Sequence, residues 1–99
     1  MQQLTYIFDV DKTIMNTQGS DYTMSVPFPG RIEKVNALYD QGHKIIYWTA
    51  RGATTKVDWY YFTKGQLDHY GCKYHEFKTG KPHYDYWIDD KAINAKDWF

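Results

Sequence analysis

Residues 7–14 read Ile-Phe-Asp-Val-Asp-Lys-Thr-Ile, an apolar run that stops abruptly at two carboxylates, Asp9 and Asp11. From Leu4 to Phe8 the run is short, apolar and aromatic, and it predicts a buried strand. Strands of this kind commonly end in turn formers such as Gly or Asn. Two like charges at the edge of a core each raise the other's cost of ionisation. A chain tolerates that where a cation or a proton-transfer task makes use of it. Taken alone, the pair could also be a turn or a helix cap.

Working outward, Ile32, Val35, Leu38 and Tyr39 recur at helical spacing from Arg31, and Gly42 follows as a stop. His43 to Trp48 predicts a second strand. Thr54 or Thr55 can cap a second helix, with Asp58 near its first turn, running through Trp59, Phe62 and Leu67 to Gly71. Tyr74 to Phe77 and Tyr86 to Ile88 predict third and fourth strands, and a brief helix around Lys91 to Lys96 closes the chain. Residues 14–28 read as a long loop or small flap.

This βα alternation predicts a parallel sheet covered by helices. Right-handed crossovers bring the strand C-termini to one edge, where open sheets bind ligands. The polar residues after each strand then converge. Asp9 and Asp11 follow the first, Thr49 and Arg51 the second, Lys81 the third, and Asp89 and Asp90 end the fourth. Four carboxylates without His or Cys suit a hard cation, and Mg²⁺ is the usual choice beside phosphate. Lys81 would add positive charge and Thr49 a hydroxyl donor. Such a set suits phosphoryl transfer, in which catalysis is mostly positioning and charge stabilisation.

These residues resemble the haloacid dehalogenase-like superfamily of phosphatases and phosphotransferases. Its Asp-x-Asp-x-Thr motif is matched by Asp9-Val10-Asp11-Lys12-Thr13, its strand-ending Ser or Thr by Thr49, its Lys by Lys81, and its acidic pair by Asp89-Asp90. The four occur in family order over nearly the whole chain. The resemblance implies a Rossmann-like, three-layer α/β domain with a small parallel sheet of about four strands. It also implies an Asp9 nucleophile forming an aspartyl-phosphate, and Asp11 as general acid and then base. Thr49, Ala50, Arg51 and Lys81 would hold the phosphoryl group. Asp9, the Val10 carbonyl, Asp11, Asp89 and Asp90 would surround Mg²⁺.

Two features depart from the pattern. Lys12 stands where the family often has Gly, and no substrate-selecting cap domain interrupts the chain. Tyr22, Met24 and Phe28 could screen the site as a flap or join an oligomer interface. The lack of a cap, with Pro29-Gly30-Arg31-Ile32 and Thr-Ala-Arg-Gly, resembles small members from bacterial sugar-phosphate and capsule pathways. The expected activity is Mg²⁺-dependent hydrolysis of a sugar, glycerol or polyol phosphate. The alternatives are a nucleotide or polynucleotide-end phosphatase and a non-catalytic binding module.

Composition bounds these readings. The 99 residues suit one domain, residues 1–99, and a 42% hydrophobic fraction suffices for a core. Twelve basic residues balance twelve acidic ones, which weighs against nucleic acid and gives no attraction to membranes. Cys72 is the lone cysteine, so no internal disulfide forms. The start carries no basic region followed by a long apolar stretch, and no segment approaches the roughly 20 apolar residues of a membrane span. A cytoplasmic protein acting on a small phosphorylated metabolite, with a possible homo-oligomer, is expected.

Several residues have plainer readings. Arg51 reads as a structural ion-pair partner, with substrate contact as the other role. Lys78 is a second lysine near Lys81, but Gly-Lys-Pro favours Lys81 as the motif residue. Asp89 and Asp90 could cap the last helix, with Asn94 an ordinary helix residue. His69, Cys72 and His75 have a zinc-like spacing across a helix end and a strand, which arises easily by chance. The aromatic run Trp59 to Phe62 reads as helix packing.

Overall fold

The computed structural model describes residues 2–19 and 21–99; Ser20, within the expected loop, lies outside them. In chain order the elements are β1 (Thr5–Phe8), β2 (Met15–Asn16), β3 (Val26–Pro27), α1 (Pro29–Asp40), β4 (Lys44–Trp48), α2 (Tyr60–His69), β5 (Glu76–Lys78) and α3 (Ala95–Trp98). Strands β1, β4 and β5 form a parallel sheet in that order. Its register pairs Tyr6 with Ile45 and Phe8 with Tyr47, then Tyr47 with Phe77.

Side chains alternate across a strand, so Phe8, Ile45 and Tyr47 share one face. On that face they meet Ile32 and Val35 of α1 and Leu67 of α2 in a single core cluster. Trp98 of α3 packs on Tyr6 and Phe8 from the same side. Each fully buried side chain of this size contributes about 1.5–3 kcal/mol. The opposite face holds Ile7, which is 61% exposed, and Ile46 and Trp48.

The domain therefore has two layers where three were expected. The reason is topological. Two right-handed crossovers that step the same way across a sheet place both helices on one face. Covering the other face requires a strand on the far side of β1, and the expected strand Tyr86–Ile88 does not form. The sheet has three strands, not about four. Tyr86 and Ile88 are exposed, flanked by Asp85, Asp89 and Asp90. The Trp87 ring between them packs on Tyr84 and on Trp48 at the end of β4, without strand pairing.

Both helix stops fall where the glycines predict. Gly42 (φ +95°) and Gly71 (φ +75°) occupy left-handed positions that a side chain resists. The N–H groups of Gly42 and His43 donate to the carbonyls of Tyr39 and Leu38, and those of Gly71 and Cys72 to Asp68 and Leu67. Each pair satisfies two otherwise orphaned helix carbonyls. Pro29 at the first position of α1 has no N–H to leave unpaired.

Three boundaries differ from expectation. Helix α2 begins at Tyr60, well after Thr55, because the chain turns through positive φ at Gly52 and Lys56. Asp58 Oδ1 then accepts the Tyr60 N–H at 2.9 Å, doing the capping expected of the threonines. Strand β5 begins two residues after Tyr74 and ends one residue after Phe77, at Glu76–Lys78. The short final helix starts at Ala95, with Asn94 Oδ1 accepting the Lys96 N–H at 3.0 Å. Residues 14–28 are more than a loop. They hold the antiparallel β2–β3 pair and a 3-10 turn at Tyr22–Met24, rooted by the fully buried Ile14 and Met15.

Candidate functional site

The C-terminal ends of the three parallel strands bring Asp9, Thr49 and Lys81 together. Thr49 is fully buried where β4 ends, and its N–H donates to the Lys78 carbonyl at 3.0 Å. Its own carbonyl accepts the Lys81 N–H at 3.2 Å, fastening the loop after β5 to the end of β4. Thr49 Oγ1 accepts the Arg51 N–H at 3.1 Å, and the Ala50 carbonyl accepts the Ala53 N–H at 2.9 Å. Lys81 Nζ then stands 3.7 Å from Asp9 Oδ2. That separation exceeds the roughly 2.7–2.9 Å of a charge-assisted hydrogen bond, so the ammonium is near Asp9 without being consumed by it.

Asp9 Oδ1 accepts the Val10 N–H at 2.8 Å. Burial raises the Asp9 pKa above its ordinary 3.8, and the neighbouring Asp11 charge adds to the rise. Lys81 and the Val10 N–H oppose it and do not cancel it. The Asp9 side chain is still 36% exposed, so its carboxylate is open to an incoming substrate.

Asp11 has a different surrounding. The Arg51 guanidinium grips it, with Nε 3.2 Å from Oδ1 and 3.0 Å from Oδ2, and Nη2 2.6 Å from Oδ1. Thr17 Oγ1 also donates to Oδ1 at 2.5 Å. Arg51 is buried and its other donors are likewise committed. Nη1 reaches Thr63 Oγ1 (3.1 Å) and Gln66 Oε1 (2.5 Å), and Nη2 reaches Ser25 Oγ (3.3 Å). Its guanidinium also lies 4.5 Å from the Tyr22 ring centroid. The ion-pair reading of Arg51 matches this geometry; no donor of its side chain is left for a phosphate.

Lys12 adopts φ +63°, a left-handed conformation that glycine takes more readily. The Lys12 N–H donates to the Met15 carbonyl at 2.7 Å, closing the tight loop after β1.

The residues expected around Mg²⁺ do not form a cation shell in this arrangement. The Val10 carbonyl turns inward and accepts the N–H groups of Thr13, Ile14 and Met15 at 3.3, 3.0 and 3.2 Å. Both Asp11 oxygens are held by Arg51. Asp89 and Asp90 stand on an exposed segment, where Asp89 Oδ1 accepts the Lys91 N–H at 2.8 Å. That N–H, with Asp90 and Trp87, holds the Asp89 carboxyl below the ordinary carboxylate range. Among the described residues no three His, Cys, Asp or Glu side chains converge as a metal site. The zinc-like spacing is also spread out. His75 Nδ1 accepts the Ile45 N–H at 3.1 Å, and burial pushes the Cys72 thiol up to about 11.

Sequence reading missed the partners of Arg51. Thr63 and Gln66 sit three residues apart on α2 beside the buried Leu67, and polar residues at that spacing on a core-facing stripe signal a buried charge. Thr17 and Ser25, bonded to each other at 2.7 Å, gave no comparable signal. Two surface grooves are present, and the second reaches the strand-end cluster through Thr79 and Gly80, which precede Lys81. One is lined by Phe28, Arg31, Lys34 and Phe99, the other by Ile7, Ile46, Trp48 and Lys78.

The architecture defines an α/β protein with a polar cluster at the C-terminal edge of a parallel sheet. No family model matches the chain, and no curated protein does. Among solved structures, the crystal structure of a structural-genomics target from Vibrio cholerae is similar over 97% of this chain and 87% of that one. The two share 26% identity with a TM-score of 0.86. No helix among the described residues is long and apolar enough to cross a membrane.

Two outcomes are expected from this geometry. Replacing Arg51 by Met leaves the Asp11 charge without its partner and should cost about 3 kcal/mol in urea unfolding. Arg51→Lys should recover only part of that, because one ammonium cannot serve five acceptors. A loss below about 1 kcal/mol for Arg51→Met would contradict the arrangement. For Asp9 the sign is opposite. Its raised pKa means ionisation costs the folded chain more than the unfolded one, so stability falls as pH rises from 3.8 through the raised value. In buffer containing a chelator, Asp9→Asn should therefore unfold at higher urea than the unmutated chain at neutral pH. The difference should vanish below 3.8, where Asp9 is protonated in both states. A variant less stable at neutral pH would show that Asp9's charge supports the fold.

Proposed function

We propose that this chain is a phosphoric monoester hydrolase in which Asp9 is the nucleophile, acting on a small sugar, glycerol or polyol phosphate. The observation that carries the reading is the meeting of Asp9, Thr49 and Lys81 at one sheet edge, with Lys81 Nζ 3.7 Å from Asp9 Oδ2. The ordered resemblance to haloacid dehalogenase-like phosphatases supports it. The balanced net charge supports a small substrate over a polyanionic one.

In this reading Lys81 Nζ and the Thr49 hydroxyl, with the Ala50 N–H beside it, hold the phosphoryl oxygens. One Asp9 oxygen attacks phosphorus as the ester P–O bond breaks, and the leaving oxygen takes a proton from Asp11 Oδ2, to which the attacking water later returns one. Water then attacks phosphorus, the acyl-phosphate P–O bond breaks, and inorganic phosphate leaves with Asp9 restored. Asp11 can enter as proton carrier only through Oδ2, since Oδ1 accepts three donors and Oδ2 accepts one. Among the described residues no three His, Cys, Asp or Glu side chains converge here, and no step above is routed through a cation.

Purified protein should hydrolyse a generic aryl phosphate, assayed both with chelator and with added Mg²⁺. Asp9→Asn should abolish turnover, and Lys81→Met and Thr49→Ala should each lower kcat/KM by about 10²-fold or more. The absence of turnover by the unmutated chain across a broad panel of phosphorylated metabolites, under both conditions, would sink the enzyme reading and favour a binding module.

A further inference from the structure

Lys81 has neighbours that the phosphatase scheme does not use. Its Nζ lies 5.2 Å from the Tyr84 ring centroid and 5.6 Å from that of Trp87, within the roughly 6 Å over which a ring face attracts a cation. Trp87 stands at a steep angle to Tyr84, with centroids 5.1 Å apart, and nearly perpendicular to Trp48 at 6.1 Å. Trp48 is the last residue of β4, and its Nε1 donates to the Thr79 carbonyl at 3.1 Å. The rings are thereby tied to the same strand end that carries Thr49.

Burial of the rings themselves does not account for this placement. Tyr84 and Trp87 remain 41% and 42% exposed, so they add little to a core. The covered group is the lysine, whose side chain is only 11% exposed. A lysine ammonium is strongly hydrated and its stem flexible, so a surface lysine ordinarily keeps its charge in water. The 3.7 Å separation from Asp9 is too long to hold it alone. Two ring faces and one carboxylate together define where the charge sits.

We propose that Tyr84 and Trp87 are positioning residues that clamp the Lys81 ammonium beside Asp9, fixing the cation that receives the substrate's phosphoryl oxygens. The clamp itself stands on the ring geometry. Its use for phosphate rests on the proposed function.

The test separates those two levels. In the unmutated chain the ε-methylene protons of Lys81 should resonate upfield of the ordinary lysine position, shifted by the two ring currents. Tyr84→Ala and Trp87→Ala should each reduce the shift, and Trp87→Phe should preserve most of it. Inorganic phosphate, titrated in the same spectra, should bind about three- to tenfold more weakly to Trp87→Ala and nearly normally to Trp87→Phe. In the Lys81→Met background Trp87→Ala should weaken phosphate no further, since a residue acting through Lys81 has nothing left to position. Lys81 resonances at ordinary positions in the unmutated chain would overturn the clamp. So would equal losses from Trp87→Ala in the two backgrounds, which would mean that Trp87 acts by its own contact or through the fold. Shifted Lys81 resonances without phosphate binding to the unmutated chain would uphold the clamp and remove the phosphatase reading instead.

Discussion

The buried Arg51 guanidinium is the constraint on which the rest of this structure depends. One planar cation joins the loop after β1 through Asp11, the β2–β3 pair through Ser25, and α2 through Thr63 and Gln66. Burying such a group is costly unless every donor finds an acceptor. The chain answers with small polar residues, Thr17, Ser25 and Thr63, at positions that would otherwise be apolar. Segments far apart in sequence are therefore held in one register by a single side chain. A domain with three short parallel strands and helices on one face has few other means of tying its flap to its sheet.

That constraint divides the two carboxylates of Asp-Val-Asp-Lys-Thr. Asp11 is taken into the structural network, and Asp9 is left at the strand end with Lys81 as its cationic neighbour. The separation follows from geometry rather than from residue type. Asp9 ends β1 and stays with the sheet edge, whereas Asp11, two residues on in the tight loop, meets the Arg51 guanidinium. A carboxylate raised by burial and a lysine held near it without a close hydrogen bond make a compact pair for an anionic substrate.

Much of the fold was legible because local signals and packing agreed. The apolar runs of β1 and β4 and the glycines after both helices carried their elements to the expected places. The start of α2 was misplaced because Thr54 and Thr55 are as good caps as Asp58, and only the backbone turn at Gly52 and Lys56 decides between them. Tyr86–Ile88 was misread for a related reason. An aromatic and β-branched triplet has strand propensity, but Trp87 is engaged with Trp48, Tyr84 and Lys81 instead. Strand propensity records how a side chain fits its neighbours, and those neighbours were long-range. The same misreading carried Asp89 and Asp90 to the strand-end cluster, whereas they stand exposed in this structure. Asp9, Thr49 and Lys81 are legible as neighbours because each lies within three residues of a strand end.

In the proposed hydrolysis Asp9 takes the phosphoryl group covalently. Protein mixed with an excess of aryl phosphate, quenched in acid within the first turnover and reduced with borohydride, converts an aspartyl-phosphate into homoserine. Peptide mass spectrometry should find that conversion at Asp9, in the peptide ending at Lys12, and should find Asp11 unchanged. Turnover of the ester with no conversion at Asp9, or with conversion at a different carboxylate, would contradict the account.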